Sequence, residues 1–204
     1  MKKFVSLLGI ALLSFTVLNA EESKIAMYAR AEAGYYSGGA IIKTDLGGSL
    51  LNKQDVTFPI SGLEVTPTFG LTLPVVFEQN FGTLKMGAEV QVPVVIGNAN
   101  SVYYPGGSAL VINPRLMIME NYYFPQTMPQ AIQNLSAKVG VGFSVPISIV
   151  TTETFSGTGV GFKLNFLLGL QYDFTKHISA NIDWNLGTFG VLSSSIRAGV
   201  SWRF

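Results

Sequence analysis

His177, Ser179 and Asp183 lie close together near the C-terminus, and on an extended strand all three share one face. A serine so placed becomes a nucleophile for acyl transfer only if the imidazole reaches its hydroxyl and a carboxylate orients the imidazole. His177 follows Thr175-Lys176, so it is read as a solvated residue beside a tight turn, pointing inward and away from any open site, and no catalytic residue is assigned. Gly157-Thr158-Gly159, with Gly161 after it, has the look of a phosphate-cradling loop. The helix N-terminus that such a loop requires is missing downstream, and the segment is read as a flexible loop. With one His and no Cys, metal ligation would fall to carboxylates such as Asp45 and Asp55, read as solvated loop acids. No cofactor and no metal is implied.

The other charged residues carry the stronger signal, through their phase. Arg30, Glu32, Glu64, Lys85, Glu89, Arg115, Lys138, Lys163, Asp173, Asp183, Arg197 and Arg203 all fall in the opposite register to the apolar residues of their segments, and Glu120 alone falls with them. The last segment shows the pattern cleanly. Leu192, Ser194, Ile196, Ala198, Val200, Trp202 and Phe204 alternate with Ser193, Ser195, Arg197, Gly199, Ser201 and Arg203, which on a strand separates an oily side from a wet one.

Reading the chain with a period of two, and with Gly, Pro and Asn as breaks, gives eight such segments, at about residues 25–36, 62–77, 83–96, 109–122, 135–147, 160–174, 177–186 and 192–204. Their lengths suit tilted strands that cross a bilayer, and an even number lets both ends lie on one side. Parity does not say which side faces in. A Lys or Arg on the lipid face of a barrel costs about 2–4 kcal/mol at the midplane, and an eight-stranded bore is too narrow for so many Leu, Val, Ile and Phe side chains. Charges inside and lipid outside follow. A water-soluble barrel would reverse the arrangement.

The N-terminus fits export. Lys2-Lys3, an apolar run over 4–18, then Asn19-Ala20 and Glu21-Glu22 have the layout of a cleavable secretory signal over residues 1–20, leaving 21–204 as the barrel domain. Hydrophobic residues make up 48% of the chain, yet after the signal no apolar run is long enough for a spanning helix. The net charge of +1 and the lack of a basic cluster argue against nucleic acid as a partner.

Taken together, these segments resemble the small eight-stranded outer-membrane barrels of Gram-negative-type bacteria, the group that includes the OmpA membrane domain and OmpX. The resemblance implies an all-β, antiparallel, up-and-down transmembrane barrel located in the outer membrane, in contact with outer-membrane lipid. It also implies that Val200, Trp202 and Phe204 form the signal read by the barrel-assembly machinery. The connections at about 78–82, 123–134 and 175–176 would share the periplasmic side with both termini, and those at 37–61, 97–108, 148–159 and 187–191 would be surface loops.

Within the bore, Arg30, Glu32, Glu64, Lys85, Glu89, Arg115, Lys138, Lys163, Asp183 and Arg197 are expected to form a charge network that plugs it. Hairpin register is expected to set Asp183 opposite Arg197 and Glu89 opposite Arg115, and to place Glu32 beside Glu64 with Arg30 or Arg197 between them. Tyr103 and Tyr104 are the candidates for surface contact through a loop. The function expected is a monomeric, non-enzymatic outer-membrane protein for envelope structure or surface recognition. A small ion or solute pore is the alternative, and a lipid-modifying hydrolase using Ser179 is a more remote one.

Overall fold

The computed structural model describes residues 25–45, 53–79, 82–102, 104–188 and 191–204. The signal segment, Tyr103 and residues 46–52 lie outside them. The strands are β1 (Ala26–Asp45), β2 (Lys53–Gln79), β3 (Gly82–Gln91), β4 (Val94–Ala99), β5 (Gly107–Ile112), β6 (Arg115–Tyr123), β7 (Leu135–Ser144), β8 (Ile147–Thr151), β9 (Ser156–Val160), β10 (Lys163–Asp173), β11 (Ile178–Thr188) and β12 (Ser193–Arg203). Four short pairs are single staves with a break: β3 with β4, β5 with β6, β7 with β8, and β9 with β10. Eight antiparallel staves result, and β1 pairs with both β2 and β12, which closes the barrel.

Three of the breaks fall at Pro93, Pro114 and Pro146. Proline has no N–H to give to a ladder, but its carbonyl still accepts. Val92 donates to Pro67, Asn113 to Pro93, Val145 to Pro114 and Gly161 to Pro146, over 2.9–3.2 Å. A stepped proline belt therefore runs around the wall from stave to stave.

Near that belt the interior turns from charged to apolar without a change of phase, and the outer wall turns polar a few residues higher. Below it, and up to Glu64 three residues beyond Pro67, the inward residues are Arg30, Glu32, Glu64, Glu89, Lys138, Asp183 and Arg197, while Phe69, Leu168, Ile182, Ile196 and Val200 are exposed on the outer wall. Above it, the inward residues are Tyr36, Ala40, Ile42, Val56, Phe58, Ile60, Val95, Ala99, Val111 and Val150, which form one apolar core. Outside, Leu63, Val65, Ile96, Ile112, Ile147 and Ile149 keep the wall apolar just above the belt, and Lys43, Asp55, Thr57, Ser108, Thr151 and Thr158 make it polar toward the upper rim, all exposed. The lower barrel has the polarity of a membrane protein and the upper barrel that of a soluble one.

This inversion corrects the expected loops. Segment 37–61 is almost all strand, and Asp45 and Asp55 belong to β1 and β2, with Asp55 opposite Lys43. A reading keyed to apolar-outward residues ends the first stave and starts the second where their inward positions turn apolar. Gly157 and Gly159 likewise lie in strand β9, not in a flexible loop. A Cβ at Gly159 would stand 2.5 Å from the Ile41 carbonyl oxygen, and one at Gly157 would stand 2.7 Å from the Ile42 side chain. These glycines let β9 close against β1 above the shorter β11–β12 hairpin.

The upper core gives a direct test. Phe58 is fully buried and stacks on Phe155 at 5.7 Å and on Tyr104 at 6.0 Å. Phe58→Ala is expected to lower unfolding stability by about 3–5 kcal/mol, measured by urea titration in lipid vesicles, with membrane insertion retained.

Candidate lumen charge network

At the level of the proline belt and below it, the bore is filled by ion pairs. Arg30 reaches three carboxylates: Glu89 at 2.6 Å, Glu32 at 3.3 Å and Asp183 at 3.4 Å. Lys138 Nζ lies 2.7 Å from the other oxygen of Asp183. Arg197 spans Glu64 at 3.5 Å and Glu32 at 3.7 Å, and Arg115 lies 3.4 Å from Glu64. Every side chain in these pairs is at most 2% exposed.

Neutral donors add to three of the four carboxylates. The Tyr28 hydroxyl and the Gln91 amide donate to Glu89, Thr66 donates to Glu64, and Asn181 donates to Glu32. A buried charge is tolerated only with its partners and hydrogen bonds in place, and the strands supply both because alternate residues from neighbouring staves converge on one narrow bore. Gly169 makes room for the closest pair: a Cβ there would sit 2.2 Å from Asp183 Oδ1 and 3.0 Å from Lys138 Cε. Met117, Met119 and Leu167, all fully buried, fill the space beside the network.

The register differs in part from that expected. Asp183 does lie opposite Arg197, yet Asp183 pairs with Lys138 and Arg30 while Arg197 turns to Glu64 and Glu32. Glu89 lies opposite Met117, and Gln91 opposite Arg115. The β4–β5 hairpin pairs Ala99 with Gly107, and that sets a register two residues away from the one inferred by centring the loop. Glu32 and Glu64 share Arg197, as the sequence suggested. Lys85 stands apart from the network, with its ammonium 5.2 Å from the Tyr123 ring centre. Lys163 is only 4% exposed, but among the described residues it has no ion-pair partner.

The other candidate residues do not assemble into a site. His177 is exposed, not inward: its Nδ1 lies 3.1 Å from the Arg203 carbonyl oxygen and its ring stacks on Trp202. Ser179 is buried and bonds to the Ser201 hydroxyl at 3.0 Å, and Asp183 is held in the network. The strand starts only at Ile178, so His177 escapes the alternation that was expected to turn it inward. Tyr104 also differs from expectation. Its ring packs 5.0 Å from Phe155 and 6.0 Å from Phe58, where it helps close the top of the core instead of facing a partner. Val200, Trp202 and Phe204 are 57%, 50% and 73% exposed on the outer wall.

A scan against protein-family models finds no match, and neither does a search of curated proteins. Solved structures do match. Neisserial surface protein A aligns with a TM-score of 0.53 and 13% identity over 89% of this chain and 100% of that one. The chain has the fold of a small outer-membrane barrel. The attachment invasion locus protein Ail of Yersinia pestis follows, with a TM-score of 0.47 and 9% identity over 87% of this chain and 98% of that one. The N-terminal β-barrel domain of Pseudomonas aeruginosa OprF has a TM-score of 0.44 and 12% identity over 86% of this chain and 97% of that one.

Truncating the shared cation should be far more damaging than truncating a rim cation. Arg30→Met leaves three buried carboxylates short of a partner and is expected to lose about 3–5 kcal/mol of stability. Arg203→Met removes the part-exposed pair with Asp173 at 3.0 Å and should change stability by about 0–1 kcal/mol. Equilibrium unfolding of the two variants in the same lipid checks the contrast.

Proposed function

We propose that this protein is a non-enzymatic integral outer-membrane barrel whose bore is closed and whose upper barrel stands out of the membrane as a rigid surface for envelope structure or recognition. One observation carries the reading: the staves are oily outside and charged inside around and below the proline belt, and those that continue to the upper rim, past the outward Ile96, Ile112 and Ile149, become polar outside and apolar inside. Only a wall that leaves lipid for water along its length needs that inversion. Outward aromatics support it at both levels, with Trp202, Phe204, Phe174 and Tyr172 near the chain ends, and Tyr35, Phe143, Phe162 and Trp184 toward the belt.

Closure rests on two stacked plugs, the ion-pair network below and the apolar core around Phe58 above. An ion crossing the bore would have to displace both. Purified protein in planar bilayers is expected to show no conductance above the lipid background, and resolved single-channel steps would establish the pore reading instead.

Export and insertion follow the sequence signals. The mature chain is expected to begin at Glu21, to fractionate with the outer membrane and to shift in gel mobility on heating. Val200, Trp202 and Phe204 would be read by the assembly machinery, so Phe204→Ala should reduce the outer-membrane yield severalfold while the detergent-refolded barrel keeps its heat shift. A soluble, non-shifting protein starting at Met1 would overturn the proposal.

A further inference from the structure

Among the described residues the buried charged side chains are five basic and four acidic, and the cation left over is Lys163. The other four cations each touch a carboxylate. An ammonium held in a largely buried side chain without an anion is costly, and a neighbouring cation around the wall repels it: Lys163 and Arg115 both lie opposite Ser144.

Lys163 does not face a filled bore. It lines a cavity of about 410 Å³ together with Ser148, Ile41, Val160 and Phe162, a volume within the range of small-molecule sites, and the remaining charged lining residues, Lys43 and Asp55, leave the cavity with one net positive charge. The cavity occupies a seam in the wall. β1 pairs with β12 only as far as Ser37, and β10 pairs with β11 only from Leu164. Above that point β1 and β9 lie side by side without a ladder among the described residues, so the short β11–β12 hairpin leaves a lateral notch. Its inner end carries Lys163 and the buried Ser148, while its outer lip carries Val160 and Phe162, which are 69% and 54% exposed. An anion is called for inside and hydrocarbon outside.

We propose that this notch binds an amphiphile with an anionic headgroup, the charge resting on the Lys163 ammonium and the acyl chain lying along the outer wall across Val160 and Phe162. The site deepens the outer-membrane reading, on which it rests for the lipid that meets its outer lip.

The test uses the full-length protein in zwitterionic nanodiscs and a long-chain fatty acid bearing a photoactivatable diazirine, beside the alcohol of the same length. The acid is expected to label the Val160 to Lys163 segment saturably. Lys163→Met should weaken that labelling about tenfold or more, Lys163→Arg should retain it, and the alcohol should label no better than the Met variant does. Val160→Asp, a change on the exposed lip that leaves the lumen untouched, should weaken acid labelling as well. Equal labelling of wild type and Lys163→Met, or equal labelling by the alcohol, would overturn the site. Displacement of the acid by millimolar inorganic phosphate would assign the notch to free anions and overturn the amphiphile. Heat-shifted gel mobility, measured on every variant, separates failure of this site from failure of the barrel.

Discussion

Arg30 sits within 3.4 Å of Glu32, Glu89 and Asp183, and the lower barrel is organised around that shared cation. A charge on the lipid face is costly, so most of the charged residues of the lower staves converge on the same bore, with Glu120 near the end of β6 on the outward parity. Three anions around one guanidinium, with Lys138 and Arg197 serving the outer carboxylates, are held only if neighbouring strands keep one register. A slip of one residue would send Glu89 to lipid and Val90 to the bore. The network therefore specifies which residues pair, while the exposed apolar belt of the outer wall supplies the gain on transfer into the membrane.

The upper barrel solves a different problem with the same strands. Toward the upper rim the wall meets water outside, so the inward positions can become apolar and the outward ones polar without any change of phase. The prolines mark the boundary because each interrupts one side of a ladder while its carbonyl still anchors the next stave. The glycines of β9 then let it close on β1 where β11 and β12 have ended. The structure stacks an aromatic core above a salt-bridge core, and both obstruct the bore.

Much of the lower barrel was legible in the sequence because charge and hydropathy alternate there with a single meaning. Strand number, closure and the inward direction of Arg30, Glu64, Lys138 and Asp183 all follow from that phase. The upper staves were missed for the same reason. Ile42 and Phe58 keep the inward parity but are apolar, so a rule that equates apolar with outward reads them as loop. Pairing within the network was only partly legible: register names the residue across the ladder, but long side chains in a narrow bore reach diagonally, as Arg197 does toward Glu64. Lys163 stood out in the sequence only as one more inward charge. Its lack of a counter-ion needed three-dimensional neighbours to be seen.

The inversion of polarity along continuous strands is tested most directly by nitroxide labels placed one at a time on outward positions of β2, with accessibility to oxygen and to a water-soluble nickel complex measured in vesicles. Labels at Leu63, Val65 and Phe69 are predicted to collide mainly with oxygen and those at Asp55 and Thr57 mainly with nickel, with the crossover between the two groups. Nickel accessibility at all five positions would contradict a membrane-embedded lower barrel, and oxygen accessibility at all five would contradict an upper barrel that stands in water.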